Sequence, residues 1–198
     1  MPKIGDERRD ERRHQIMDAA RAGLAAKSYS GLTVDDICAE AGLSKGAFYV
    51  HFPSKQSLLV ALVRDDADAL EALIAELEGG ERPAVEKIRR LLRALLEQGA
   101  DSAHAQARTD ALGAMLNDDE VRQEFVDSVR RSRQRLARWI DDAVAAGELT
   151  DVPANALAAT VLALADGLML HHAVDPTGFR WTNIRRALDV LFDGISEA

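Results

Sequence analysis

The sequence predicts an all-α protein of about nine helices, with a small head over residues 1–54 and a larger helical body over residues 55–198. Three observations predict it. Apolar residues recur every three or four positions, and strand-like alternation never persists. Capping residues and glycines punctuate the chain at intervals that suit single helices. The charge also divides. Up to Arg64 there are ten Lys and Arg against eight Asp and Glu, and beyond it fifteen against twenty-five, within a net charge of −8. A mildly basic head on an acidic body implies that an anionic polymer meets the head alone.

Composition narrows the classes. The chain is 47% hydrophobic and 29% charged with only 5 prolines, which suits a packed helical globule. The single cysteine, Cys38, excludes a disulfide framework and a multi-thiolate metal site. The start, MPKIGDERRDERRHQIM, is charged and lacks the apolar run of a secretory signal. No stretch is read as membrane-spanning, so a cytoplasmic protein with no membrane partner is expected.

In the head, a first helix is expected from Glu7 to Lys27, with Ile16, Ala20 and Leu24 on one face, followed by a turn ending in Tyr29–Gly31. Thr33 reads as an N-cap with Asp35 and Asp36 in the first turn, where the helix dipole favours acid. Val34, Ile37, Cys38 and Ala41 form that helix's buried face, which makes Cys38 a core thiol, and Gly42 stops the helix. Ser44 caps a third helix of six or seven residues, which Pro53 ends. Ser54 opens a fourth that runs to Gly79–Gly80. Helix, tight turn and short helix over Thr33–Phe52 make a helix-turn-helix, whose second helix enters the DNA major groove. So short a helix is not stable alone. Leu43, Phe48 and Phe52 anchor it, leaving Lys45, Ala47, Tyr49, Val50 and His51 outward or on the flanks.

In the body, Pro83 suits the first position of a helix carrying Ile88, Leu91, Leu92, Leu95 and Leu96 on a broad apolar face. A shorter helix covers Ala103–Asn117, with Leu112, Met115 and Leu116. A long one covers Asp118–Ala146, with Val121, Phe125, Val129, Leu136, Ile140 and Val144 in one stripe and Gly147 at its end. The arginines of RRSRQRLAR (Arg130–Arg138) lie around that stripe and read as a solvated face. The last two helices, Ala154–Val174 and Thr182–Ser196, are expected to build a symmetric homodimer by a four-helix bundle. Ile184, Leu188, Leu191 and Ile195 recur at near-heptad spacing, and Gly167 permits close helix approach. The alternative is one chain burying both faces itself.

The stretch TVDDICAEAGLSKGAFYVHFPSKQSLL (Thr33–Leu59) resembles the DNA-binding signature of the TetR family of transcriptional regulators, and the wider similarity covers Arg12–Arg64. AAGEL (Ala145–Leu149) and ALADGLML (Ala163–Leu170) are similar to stretches of that family's ligand-binding domains. The resemblance implies an N-terminal helix-turn-helix domain joined to a C-terminal ligand-binding and dimerisation domain. It implies a repressor released from a palindromic double-stranded DNA operator by a small-molecule effector. Thr33, Ser44, Lys45, Gly46, Ala47, Tyr49, His51 and Lys55 fall at its DNA-contacting positions. Thr33 and Ser44 also cap helices, whose N-termini attract phosphate. Gly46 allows backbone to approach the duplex closely. Ala47 departs from the family's Thr or Ser but keeps a methyl able to meet thymine. Tyr49 and His51 are expected on phosphates. Lys55 sits where a cation opposes the helix dipole, which fits a phosphate clamp better than a stability role.

No nucleophile elbow, phosphate loop or His-x3-His pair is present, so neither an enzyme nor a cofactor is expected. His171 and His172 diverge by about 100° on a helix and cannot readily chelate together; a metal site using His104, Asp166 and His171 is conceivable, but none is expected. The expected effector site draws on Leu92, Leu96, Leu112, Met115, Trp139 and Leu168, with His104, Asp110 and His171 as polar groups. Such a site takes a largely apolar molecule, cationic if Asp110 faces inward.

Overall fold

The computed structural model describes residues 4–100, 102–178 and 180–194, without the side chains of 4–6 and 102–104. Among the described residues nine α-helices follow one another and there is no strand: α1 Ile4–Ala26, α2 Val34–Ala41, α3 Lys45–His51, α4 Lys55–Glu78, α5 Ala84–Gly99, α6 Ser102–Met115, α7 Asp119–Ala145, α8 Ala154–Val174 and α9 Trp181–Gly194. Local chemistry sets the boundaries. Thr33, Ser44 and Ser54 cap α2, α3 and α4, and Gly42 closes α2 at φ 64°, a left-handed conformation that only glycine enters without strain. The Asp118 carboxylate accepts the N–H groups of Glu120 and Val121 to open α7. Pro83 precedes α5 by one residue instead of forming its first turn.

Three apolar clusters hold the fold. The head cluster joins α1–α3 to the start of α4 through Ile16, Leu24, Ile37, Phe48, Phe52 and Leu58, and it contains the Cys38 thiol, whose pKa burial pushes up. A second cluster sets Leu59, Val60 and Val63 of α4 against Ala111, Val121 and Phe125. The largest packs the end of α4 with α5, α7, α8 and the inner face of α9. Residues Leu58 to Val63 are all buried, because opposite sides of this one stretch serve different clusters. A helix that is apolar all round is a helix enclosed all round.

Two expectations about the surface change. The arginine run is not simply solvated: Arg135 pairs with Glu71 and Glu78 and ties α7 to α4. The α9 stripe also splits. Leu188 is 9% exposed and Ile184 partly buried in the chain's own core, whereas Leu191 is 67% exposed. The inward stripe runs Ile184, Leu188, Phe192 at spacings of four, so Leu191 falls on its outer edge. Ile184 and Leu188 are therefore core residues of one chain, and Ile195 lies outside the described residues.

The helix α8 is 21 residues long and contains an 18-residue stretch of mean hydropathy 1.5, so by length and composition it matches a membrane-crossing helix, where none was expected from the sequence. Packing accounts for part of its apolarity: one side lies against α5, α6 and α7. Leu164, Leu170 and Val174 on its other side remain exposed, as do Val190 and Leu191 on α9. Beyond its chain neighbours and the backbone of α8, no described atom lies within 4 Å of where a side chain at Gly167 would begin, so nothing described within the chain requires glycine there. Gly99 is different, since a Cβ there would stand 2.9 Å from Met169 Cγ and 3.0 Å from Trp181 Cη2.

Candidate nucleic-acid interface and regulatory cavity

The interface is built outward from two aromatic rings. Phe48 and Phe52 are 0% and 1% exposed and lie 5.9 Å apart beneath α3. They fix a seven-residue helix that propensity alone would not hold. Above them Ser44, Lys45, Gly46, Tyr49 and Val50 are exposed, with Ala47 and His51 half-buried. Ser44 Oγ accepts the Ala47 N–H at 3.2 Å, which leaves its own proton available to an acceptor. Tyr49 is 53% exposed and stands edge-on to Phe48 at 5.3 Å. Lys45 extends from the first turn and pairs with Asp35 of α2 at 2.8 Å. Beyond its chain neighbours and the backbone of α3, the nearest described atom to a Cβ built at Gly46 is Ser44 Oγ at 3.7 Å. His51 is pushed below the usual histidine range by burial first, then by Arg9 and Arg13.

Two other predicted contacts are occupied within the chain. Thr33 Oγ1 accepts the Asp36 N–H at 3.1 Å and donates to Asp36 Oδ2 at 2.8 Å. Asp36 is held at about 2 by Lys27 and by the Thr33 N–H. Lys55, expected on phosphate because its charge opposes the helix dipole, also has a structural role. Its ammonium donates to the Tyr29 and Leu32 carbonyls at 2.7 and 2.8 Å and lies 4.3 Å from the Tyr29 ring centroid. It thereby fastens α4 to the α1–α2 turn.

In the body, a cavity of about 50 Å³ opens between α4, α5, α6, α7 and α8. Leu70, Leu95, Leu162 and Met169 give its apolar wall, and Asp66, Arg108, Ser132 and Asp166 its polar groups. Arg108 donates to Asp166 at 3.0 Å and lies over the Phe125 ring at 4.5 Å. Asp66 pairs at 2.8 Å with Arg21 of α1, so a wall of the cavity is bonded to the head.

None of the eight expected effector-site residues with described side chains lines this cavity; His104 is the ninth, and its side chain lies outside the description. Leu92 and Leu96 face a groove against α9. Leu112 and Met115 pack on the Leu59–Phe125 cluster, while Trp139 and Leu168 belong to the main core. His171 is exposed. Asp110 accepts the Tyr29 N–H at 2.9 Å and so faces the α1–α2 turn, with burial raising its pKa. The residues missed are Asp66, Arg108 and Ser132. Asp166 carried a signal, being the lone charge in VLALADGLML. No group of three metal-ligating side chains occurs among the described residues.

A capped helix-turn-helix standing on a helical body with an internal cavity defines the class of DNA-binding regulators. Residues 16–62 match the family model described as bacterial regulatory proteins of the tetR family, and residues 84–196 match the C-terminal model of BetI-type transcriptional repressors. The chain belongs to the TetR family. It is similar to the HTH-type transcriptional repressor AcnR of Corynebacterium diphtheriae, at 24% identity over 98% of this chain and 97% of that protein. It is 28% identical to AcnR of Corynebacterium glutamicum over 90% of this chain and 89% of that protein. A solved TetR-family regulator from Agrobacterium tumefaciens superposes with a TM-score of 0.80 at 23% identity, over 95% of this chain and 99% of that one. A transcriptional regulator from Saccharomonospora viridis, solved in complex with choline, gives 0.80 at 24% identity over 93% and 96% of the two chains. The protein is accordingly a DNA-binding transcriptional regulator and not an enzyme.

Proposed function

We propose that this protein is a cytoplasmic homodimeric repressor that holds a palindromic operator and is released from it by a small molecule. The observation that carries the reading is α3, whose exposed face of Ser44, Lys45, Gly46, Tyr49 and Val50 stands on a fully buried aromatic base. In this reading Lys45 leaves Asp35 to reach base edges, with Ala47 nearby for a thymine methyl. Ser44, Tyr49 and His51 take phosphates. Thr33 and Lys55 act mainly by holding the motif in shape, with Lys55's charge still adding to the field at the backbone. The exposed apolar residues of α8 and α9 supply the two-fold contact, with Gly167 at close approach, so that paired recognition helices meet successive major grooves.

Release follows from the size of the cavity. About 50 Å³ accommodates a few waters, far below the roughly 300–1,000 Å³ of a small-molecule site. An effector therefore stabilises a conformation in which α4 and α6 have moved apart, and it acts only through its preference for that state. Both helices are tied to the head, α4 through Asp66–Arg21 and α6 through Asp110–Tyr29. The effector we assign is small and mostly apolar with a cationic group, which competes with Arg108 for Asp166. The choline complex of the S. viridis regulator supports this class. Selection from random duplexes tests the whole reading: enrichment of a palindrome is expected, and a folded protein that enriches none refutes it.

A further inference from the structure

The first turns of α1 carry a charge pattern that the core does not need. At 100° per residue, Arg8, Arg9, Arg12 and Arg13 occupy one side of the helix. Glu7, Asp10, Glu11, His14 and Asp18 line a shallow surface on the other. Arg9 and Arg13, four residues apart, continue the line of the buried Ile16 and Ala20 beyond the end of the core, toward the C-terminal end of α3. Arg13 stacks over the Phe52 ring at 4.5 Å from its centroid. Stacking uses the face of the guanidinium and leaves its in-plane N–H donors directed outward. Arg9 and Arg13 both bear electrostatically on His51, so three basic groups from two helices converge beside the recognition helix. Among the described residues neither arginine has an ion pair or hydrogen bond to a carboxylate, although α1 holds carboxylates within a turn of each. Two like charges four residues apart on one helix disfavour each other, and an arriving anion relieves that repulsion.

We propose that Arg9 and Arg13 of α1, with His51, form a second grip on the DNA, a phosphate site flanking the recognition helix. It rests on the reading of α3 as the element that enters the groove. His51 lies six residues beyond Lys45, roughly 9 Å along the α3 axis, so this patch engages the backbone away from the bases that Lys45 reads. Arginine suits the role because its fork can hold one phosphate by two donors. Contacts of this kind add affinity and register without reading sequence.

The test uses the full chain, the duplex selected above and a scrambled duplex of equal length, with binding followed by fluorescence anisotropy across a salt series. Arg9→Gln, at an exposed position, keeps the fold intact, and Arg13→Gln is paired with Arg13→Lys, which keeps charge but loses the fork. Each Gln variant is expected to weaken both duplexes in parallel and, since the dimer loses one phosphate contact per protomer, to lower the slope of log K against log salt by about 1.8. Arg13→Lys should retain most of the slope. Wild-type affinity and slope in the Gln variants overturn the proposal, and so does a loss confined to the selected duplex. If the wild-type protein itself shows no preferred duplex, the underlying DNA reading fails instead.

Discussion

Two leucines three residues apart on α9 should respond in opposite ways to the same change. Leu191 is 67% exposed within one chain, and Leu188 is 9% exposed against α5 and the main core. Leu191→Glu removes nothing that a single chain uses, so its effect on monomer stability should stay within about 0.5 kcal/mol. In a two-fold dimer the position occurs twice. Burying a leucine contributes roughly 1.5–3 kcal/mol, and about two-thirds of that surface remains to be covered, which gives some 2–4 kcal/mol over both copies. The desolvation of two carboxylates adds further cost. The dimer Kd should therefore rise by at least about 30-fold. Leu188→Glu buries a charge in the monomer core and should cost several kcal/mol, enough to unfold a marginal chain. Sedimentation equilibrium reads the first outcome and circular dichroism the second. A Leu191→Glu protein that sediments as an unchanged dimer refutes the placement of the interface on the outer face of α9.

Other substitutions probe the coupling between body and head. Ala165→Leu fills the cavity at a cost of about 1–3 kcal/mol of strain and should abolish release by effector while operator binding persists, measured by anisotropy with and without ligand. Asp110→Ala orphans the Tyr29 N–H and should cost about 1–3 kcal/mol, lowering Tm by several degrees and raising hydrogen exchange at Tyr29. In the free protein His51 is pushed down by burial, Arg9 and Arg13, and a nearby phosphate raises its proton affinity. Binding then takes up a proton, so operator affinity should increase as pH falls from about 7.5 to about 6 and be lost as it rises, with His51→Gln flat across that range.

Local structure was legible in the sequence because local chemistry decides it. Thr33, Gly42, Ser44, Pro53 and Ser54 mark the ends of α2, α3 and α4 by caps and forbidden conformations that need no distant partner. The buried pair Phe48 and Phe52 followed from spacing alone. The cavity was not legible. The helix α5 presents five buried branched residues, Ile88, Leu91, Leu92, Leu95 and Leu96, and the periodicity that finds this face does not say which edge meets which neighbour. Rotation by one residue separates Leu95, in the cavity, from Leu96, against α9. Lys55 shows the same limit in another form: the dipole argument was sound for an isolated helix, but two carbonyls of a turn 23 and 26 residues earlier satisfy the charge.

The enclosed stretch of α4 also dictates where this protein can be cut and rejoined. A graft that places the head's recognition helix on a foreign sensor at residue 54 removes Leu58, Ala61 and Leu62 from the head's own core. A junction after Val63 restores them, but the same two turns must then also present Leu59, Val60 and Val63 to a recipient that has no surface made to receive them. The two halves share one wall instead of meeting at a seam. A working chimera must therefore carry α4 together with the patch of α6 and α7 that covers it, and DNA specificity is transferred more safely by exchanging the outward residues of α3 than by exchanging the domain.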